Sequence, residues 1–140
     1  MTSATALYTP EVLALATSLS QWPWDAALPL MGSARSKSCG STIELGLATD
    51  AEGLVCDVAL RSRACAIGQA AAAIFASAAK GRSAVEVAEA DGAIEAWLAG
   101  SGSMPDWPGL AAIAPARDFP ARHGAIRLAW KAARELLPSG

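Results

Sequence analysis

The chain has 140 residues, of which 53% are apolar and 17% charged, with a formal net charge of −2. That composition is too apolar for a disordered chain, and the length suits one domain, residues 1–140, whose core forms without disulfides. Scattered basic residues on a slightly acidic chain exclude the electrostatic footprint of a nucleic-acid binder.

Taken in order, residues 1–8 lack the basic start and apolar core of a signal peptide. Thr9-Pro10-Glu11 then reads as a helix start: an N-cap, a proline at the first helical position and an acid in the first turn. The helix carries Val12, Leu13, Leu15, Ala16 and Leu19 towards Ser20. Trp22-Pro23-Trp24 and Pro29 end it, and two tryptophans among prolines read as plugs at the edge of a core.

A short strand is expected over residues 30–34, followed by the polar loop Arg35-Ser36-Lys37-Ser38 and then Cys39-Gly40. Residues 41–49 alternate, with Ile43, Leu45 and Leu47 on one face and Thr42, Glu44 and Gly46 on the other, which is a half-buried strand. Asp50-Ala51-Glu52-Gly53 is a hairpin loop. Residues 54–61 return as a second strand with Leu54, Cys56, Val58 and Leu60 in phase. Cys56 is therefore expected in the core as a small hydrophobe, and Glu44 and Asp57 on the solvent face.

Cys65 precedes a run of small residues, 66–79, that favours helix and stops at Lys80-Gly81. The run is mostly alanine, contains Gln69 and is too short to span a membrane. Ser83-Ala84-Val85-Glu86 is a capping-box pattern for a short helix to about residue 90. Asp91 is expected to cap another helix, through Ile94, Trp97 and Leu98 to Gly100. Residues 100–105 read as a flexible turn, Asp106-Trp107-Pro108 as one more helical turn and residues 115–118 as a linker. Phe119-Pro120-Ala121-Arg122-His123 opens a last helix to about residue 137, with Ala125, Leu128, Ala132 and Leu136 as its apolar stripe.

Chemistry concentrates at two cysteines. Cys65 stands at a helix N-terminus, where unpaired N–H groups and the dipole favour an anion, and a thiolate is the form that binds metal or carries sulfur. An antiparallel pair turning at residues 50–53 brings Ser41 and Arg61 to the same end of the sheet, and with them Cys39 and Cys65. Three cysteines without CxxC spacing or a secretion signal point to a reducing cytoplasm, not to a disulfide framework. His123, the single histidine, lies in the first turn of the last helix; a lone histidine is more often structural than a ligand. No serine nucleophile elbow, phosphate loop or dinucleotide fingerprint is present.

These pieces together resemble the iron–sulfur cluster scaffold family, the IscU/NifU N-terminal domain, over nearly the whole chain. Tyr8-Thr9-Pro10-Glu11-Val12 is similar to the family's N-terminal motif, and Ser38-Cys39-Gly40 to its first cysteine motif. Residues 53–83 match the strand, second cysteine, small-residue helix and Lys-Gly-Lys-Ser segment without a gap. Residues 119–130 are similar to the segment of the third cysteine, and the stretch between Gly81 and Arg122 to the insertion of the SufU-type branch.

The resemblance implies an α+β fold, a three-stranded antiparallel sheet with helices packed on one face. It implies a rim site where three cysteines, an aspartate and sometimes a histidine hold zinc or a [2Fe–2S] cluster, and a cysteine desulfurase as the sulfur-donating partner. Two positions depart from the pattern. Ser41 stands where the family has aspartate, and the third cysteine falls on Ala125, or on Gly124 if His123 matches the family's histidine. Cys39, Cys65 and His123 remain as ligands, fewer than a closed site needs, so a further ligand would come from a partner, glutathione or a second copy of the chain. The function implied is a cytoplasmic, non-enzymatic scaffold that binds iron or a [2Fe–2S] cluster, with zinc as the other metal. The alternatives are a zinc-dependent sulfur acceptor using Cys39 or Cys65, and an interaction module that has kept the fold and lost the chemistry.

Overall fold

The computed structural model describes residues 7–37 and 40–137. Helix α1 (Pro10–Thr17) starts where expected: the Thr9 hydroxyl accepts the Val12 N–H at 3.1 Å and proline occupies the first turn. A 3₁₀ turn, Ser18–Gln21, continues it.

Three strands, β1 (Leu30–Arg35), β2 (Thr42–Thr49) and β3 (Val55–Arg63), form one antiparallel sheet in the order β1-β2-β3. Ile43, Leu45 and Leu47 are buried on its inner face, as their alternation requires. The β2–β3 turn is held by the Asp50 carboxylate, which accepts the N–H groups of Glu52 and Leu54. Gly53 closes it at φ +81°, a conformation open to glycine.

Strand β3 corrects one expectation. Thr49 pairs with Val55 and Ala48 with Asp57, which leaves Cys56 as the extra residue of a β-bulge. The bulge shifts the alternation by one, so that Val55, Val58 and Leu60 are buried while Cys56 is exposed. Cys56 is a surface thiol, not a core hydrophobe. The outer edge of β3 is covered in part by main chain: Leu60 N–H donates to the Trp22 carbonyl, and Val55 exchanges hydrogen bonds with Gly81 and Arg82.

The helices lie on one face of the sheet. Helix α2 (Ala66–Ala79) is buried along most of its length and packs against α1 and β3. Helix α4 (His123–Leu136) covers β1 and β2, and α3 (Ala84–Leu98) packs on α4. The stripe Ala125, Leu128 and Ala132 is buried, and Leu136 reaches Gly32 of β1. Ser83 and Glu86 form the expected capping box, yet α3 runs on as one helix through Asp91. Asp91 is therefore no cap. It is buried at 2% exposure, and its carboxylate accepts hydrogen bonds from Arg127 and Arg134 of α4. Those partners offset the desolvation that would keep an unpaired carboxylate out of a helix interior.

Residues 115–118, read as a linker, belong to a 3₁₀ segment, Leu110–Asp118, whose Leu110, Ile113 and Ala116 are buried. Trp107 anchors this region to α2. Its indole N–H donates to the Ile74 carbonyl at 2.9 Å, its ring stacks on Phe75, and Trp130 meets both rings edge-on. Among the described residues no helix is long and apolar enough to cross a membrane.

Candidate functional site

The site expected at the sheet rim is built by the β2–β3 register and the start of α2. Thr42 pairs with Arg63, so the segment entering β2 and the segment leaving β3 lie side by side. The loop that joins β1 to β2 is closed by main-chain bonds from Ser36 N–H to the Ser41 carbonyl and from Gly40 N–H to the Ser36 carbonyl. Ser36 and Ser41 are both buried, and Gly40 adopts φ +73°. Cys39, in the same loop, lies outside the described residues.

Cys65 is the N-cap of α2 with extended backbone (φ −64°, ψ 168°), and its thiol is not used to cap the helix. Its carbonyl accepts the Gln69 N–H, which begins the helical ladder. The thiol is therefore at the end of a helix where the first-turn N–H groups have no helical acceptor. It is partly buried and packs on the core.

Helix α4 reaches the same neighbourhood. A Cβ built on Gly68, in the first turn of α2, would lie 3.2 Å from the Cβ of Ala125 and 2.8 Å from that of Ala64. Ala125, one of the two positions on which the third cysteine of the resemblance falls, is thus a buried methyl (1% exposed) against the first turn of α2. His123 is turned to other company. Its Nε2 lies 2.8 Å from the Arg117 carbonyl, and it shares a shallow pocket with Glu95, Leu98, Ala99, Gly124 and Arg127. Because a carbonyl only accepts, Nε2 is the donor in this bond.

Among the described residues no three of His, Cys, Asp and Glu come together as a metal-binding group. With serine at 41 and alanine at 125, a closed four-ligand zinc site does not fit this donor set. The Thr42–Arg63 register puts Cys65, at the start of α2, and the 40–41 end of the β1–β2 loop at the same end of the sheet.

The sequence reading passed over the rim's outer side. Thr42, Glu44, Arg61, Ser62 and Arg63 line a broad depression of about 610 Å³ there. Arg61 pairs with Glu44 at 2.9 Å and stands over the Trp24 ring at 4.5 Å. The Arg61 hydrogen bond holds the Glu44 carboxyl below the usual glutamate range, with the nearby charges of Arg61 and Arg63 acting in the same sense. The Arg-Ser-Arg alternation was the available signal, but only the register shows what it faces.

Solved structures of other proteins share this architecture. A NifU-like protein (N-terminal) from Brucella abortus superposes with a TM-score of 0.84 and 29% identity, over 93% of this chain and 91% of that one. In sequence and fold the chain is similar to this NifU-like N-terminal domain. A protein assigned as an iron–sulfur cluster assembly scaffold for the SUF system, from Fervidobacterium islandicum AW-1, gives the same TM-score at 18% identity, over 97% of this chain and all of that one. No protein-family model and no curated protein matches the chain. The expected α+β fold, a three-stranded antiparallel sheet with helices on one face, is the fold observed.

Proposed function

We propose that this domain is a scaffold in iron–sulfur cluster assembly, taking iron and sulfide as cargo on Cys39 and Cys65. The likeness to a NifU-like domain and to a SUF-system scaffold supports the role. The observation that carries the site is Cys65 at the uncapped start of α2, on the rim that the Thr42–Arg63 pairing shares with the Cys39 loop. Thiolates are the ligands that iron–sulfur clusters use, and the free N–H groups of the helix start favour the negative charge of a thiolate-bound cluster. With Ser41 in place of the aspartate and no thiol at Gly124 or Ala125, the cluster is held by a reduced set, completed from outside the chain or by His123. The chain's own residues bind and orient cargo without turning over a substrate. Sulfur comes from a cysteine desulfurase in the same intracellular compartment.

Anaerobic reconstitution with iron and sulfide, followed by visible absorption and metal analysis, tests the reading on the natural chain and its Cys39→Ser/Cys65→Ser variant. A sulfide-to-iron charge-transfer band that disappears in the variant supports it. A natural chain that takes up no iron overturns it and leaves a domain that has kept the fold without the chemistry.

A further inference from the structure

The outer face of the sheet divides into a covered half and an open half. Residues 22–28 cover the first: the Leu28 side chain sits 3.3 Å from where a Cβ on Gly46 would be, and Trp24 lies against Arg61. On the open half, β-pairing aligns Arg35, Thr42 and Arg63 in one row across the three strands and Ser33, Glu44 and Arg61 in the next. Alternation puts both rows on the side opposite the helices. Arg35 and Arg63 thus flank Thr42 at about twice the strand spacing, roughly 10 Å.

The charge balance of this half is one-sided. It holds three arginines, all exposed, against the carboxylate of Glu44, which Arg61 already engages. Among the described residues neither Arg35 nor Arg63 has an ion pair. Lys37 follows in the adjoining loop and is exposed as well. This concentration of positive charge lies on a chain whose net charge is −2.

We propose that this face is a docking surface for an acidic segment of a protein partner. An extended acidic strand crossing the rim can set one carboxylate on Arg35 and another on Arg63, each through the fork geometry that suits guanidinium to carboxylate. The depression is broad and without a buried polar side chain, which fits a segment lying across it and not a small enclosed anion. Three arginines do not extend into the long basic track that a nucleic acid follows. The docking surface stands independently of the cargo reading, because none of its residues is a proposed ligand.

A fluorescent peptide of alternating Glu and Ser, titrated at low salt and followed by anisotropy, is the probe. The expected result is binding that weakens with added salt. Arg63→Glu or Arg35→Glu is expected to weaken it about fivefold, as loss of an exposed pair plus a new repulsion requires. Lys131→Glu, an equal charge change at an exposed site on α4, is expected to leave it unchanged. Amide shifts on peptide addition fall in β1, the start of β2 and the end of β3. No binding at low salt overturns the proposal, as does equal weakening by Lys131→Glu. Tighter binding of a single-stranded oligonucleotide on the same arginines also overturns it, in favour of nucleic acid. None of these outcomes depends on whether the protein takes up iron.

Discussion

Gly68 of α2 and Ala125 of α4 touch at the crossing of their helices: a Cβ on Gly68 would come within 3.2 Å of the Ala125 Cβ and 2.8 Å of the Ala64 Cβ. The crossing is closed by backbone and methyl groups, which cannot swing aside as a long side chain would. Gly68→Ala therefore separates helix propensity from packing. Alanine gains about 1 kcal/mol in a helix interior, whereas overpacking of this kind costs about 1–3 kcal/mol. The net expected is a loss of up to about 2 kcal/mol, read from the urea midpoint at unchanged slope. A stabilised variant would show that the crossing opens freely.

The same contact makes Ala125 the test of the reduced ligand set. Ala125→Cys adds one sulfur at a site already facing the first turn of α2, without changing the helix. The variant is expected to retain about one zinc per chain through dialysis, because a third thiolate completes a protein ligand set that then needs only water or His123. The natural chain is expected to lose it. Cobalt substitution reports the thiolates directly through their charge-transfer absorption. Equal metal retention in the two chains would place Ala125 outside the cargo site.

Local signals in the sequence are enough for the helix starts at Thr9 and Ser83, the alternation of β2 and the helix opening at Cys65, because caps and periodicity act within a few residues. Long-range partners are what the sequence conceals. Asp91 looked like a cap because aspartate favours caps, but Arg127 and Arg134, 36 and 43 residues away, hold it inside a helix. Cys56 looked like a core residue because alternation was counted without a bulge. At the rim, Cys65 was legible from the helix that it opens, while the arginine row needed the strand register, which pairs Thr42 with Arg35 on one side and with Arg63, 21 positions away, on the other.

Asp91 offers a stability test of its own. Its carboxylate is 2% exposed and bridges two arginines whose side chains are 26% and 53% exposed. Asp91→Ala leaves both guanidinium groups without this acceptor and opens space between α3 and α4. Hydrogen bonds to a charged partner are worth about 1.5–3 kcal/mol. The partial exposure of the arginines keeps the expected loss near the lower end of that range, since water can solvate them in the variant. Asp91→Asn, which keeps the shape and removes the charge, should lose less. Chemical unfolding of both variants at neutral pH decides the order, and an Asn variant as unstable as the Ala variant would show that charge and not space dominates.

Glu44 carries the pH dependence visible in the structure. Its folded carboxyl titrates below the usual range, chiefly through the Arg61 hydrogen bond. The contribution is therefore present above the unfolded glutamate value and is lost as pH falls through the lowered folded value. Comparing natural chain and Glu44→Gln, the stability gap is expected to close on acidification across that window and to shrink with salt at neutral pH. The effect is small because the pair is exposed, at 56% and 48% for the two side chains. A gap that persists below the window would mean that Glu44 acts through packing.

Trp107 joins the long connection after α3 to the core, and its removal has the largest expected effect. The ring stacks on Phe75 at 5.7 Å between centroids, meets Trp130 edge-on at 5.5 Å, carries Arg82 on its face at 4.4 Å and donates its N–H to the Ile74 carbonyl. Trp107→Ala deletes a buried aromatic whose loss typically costs about 3–5 kcal/mol. Trp107→Phe keeps most of the apolar contact but removes the indole donor, for an expected loss of about 1–3 kcal/mol. Hydrogen exchange locates the damage. If the connection is docked through this one side chain, amides in the Leu110–Asp118 segment lose protection in Trp107→Ala while those of β2 keep theirs. Uniform loss across the domain would instead make Trp107 part of a single cooperative core, shared by α2, α4 and the connection alike.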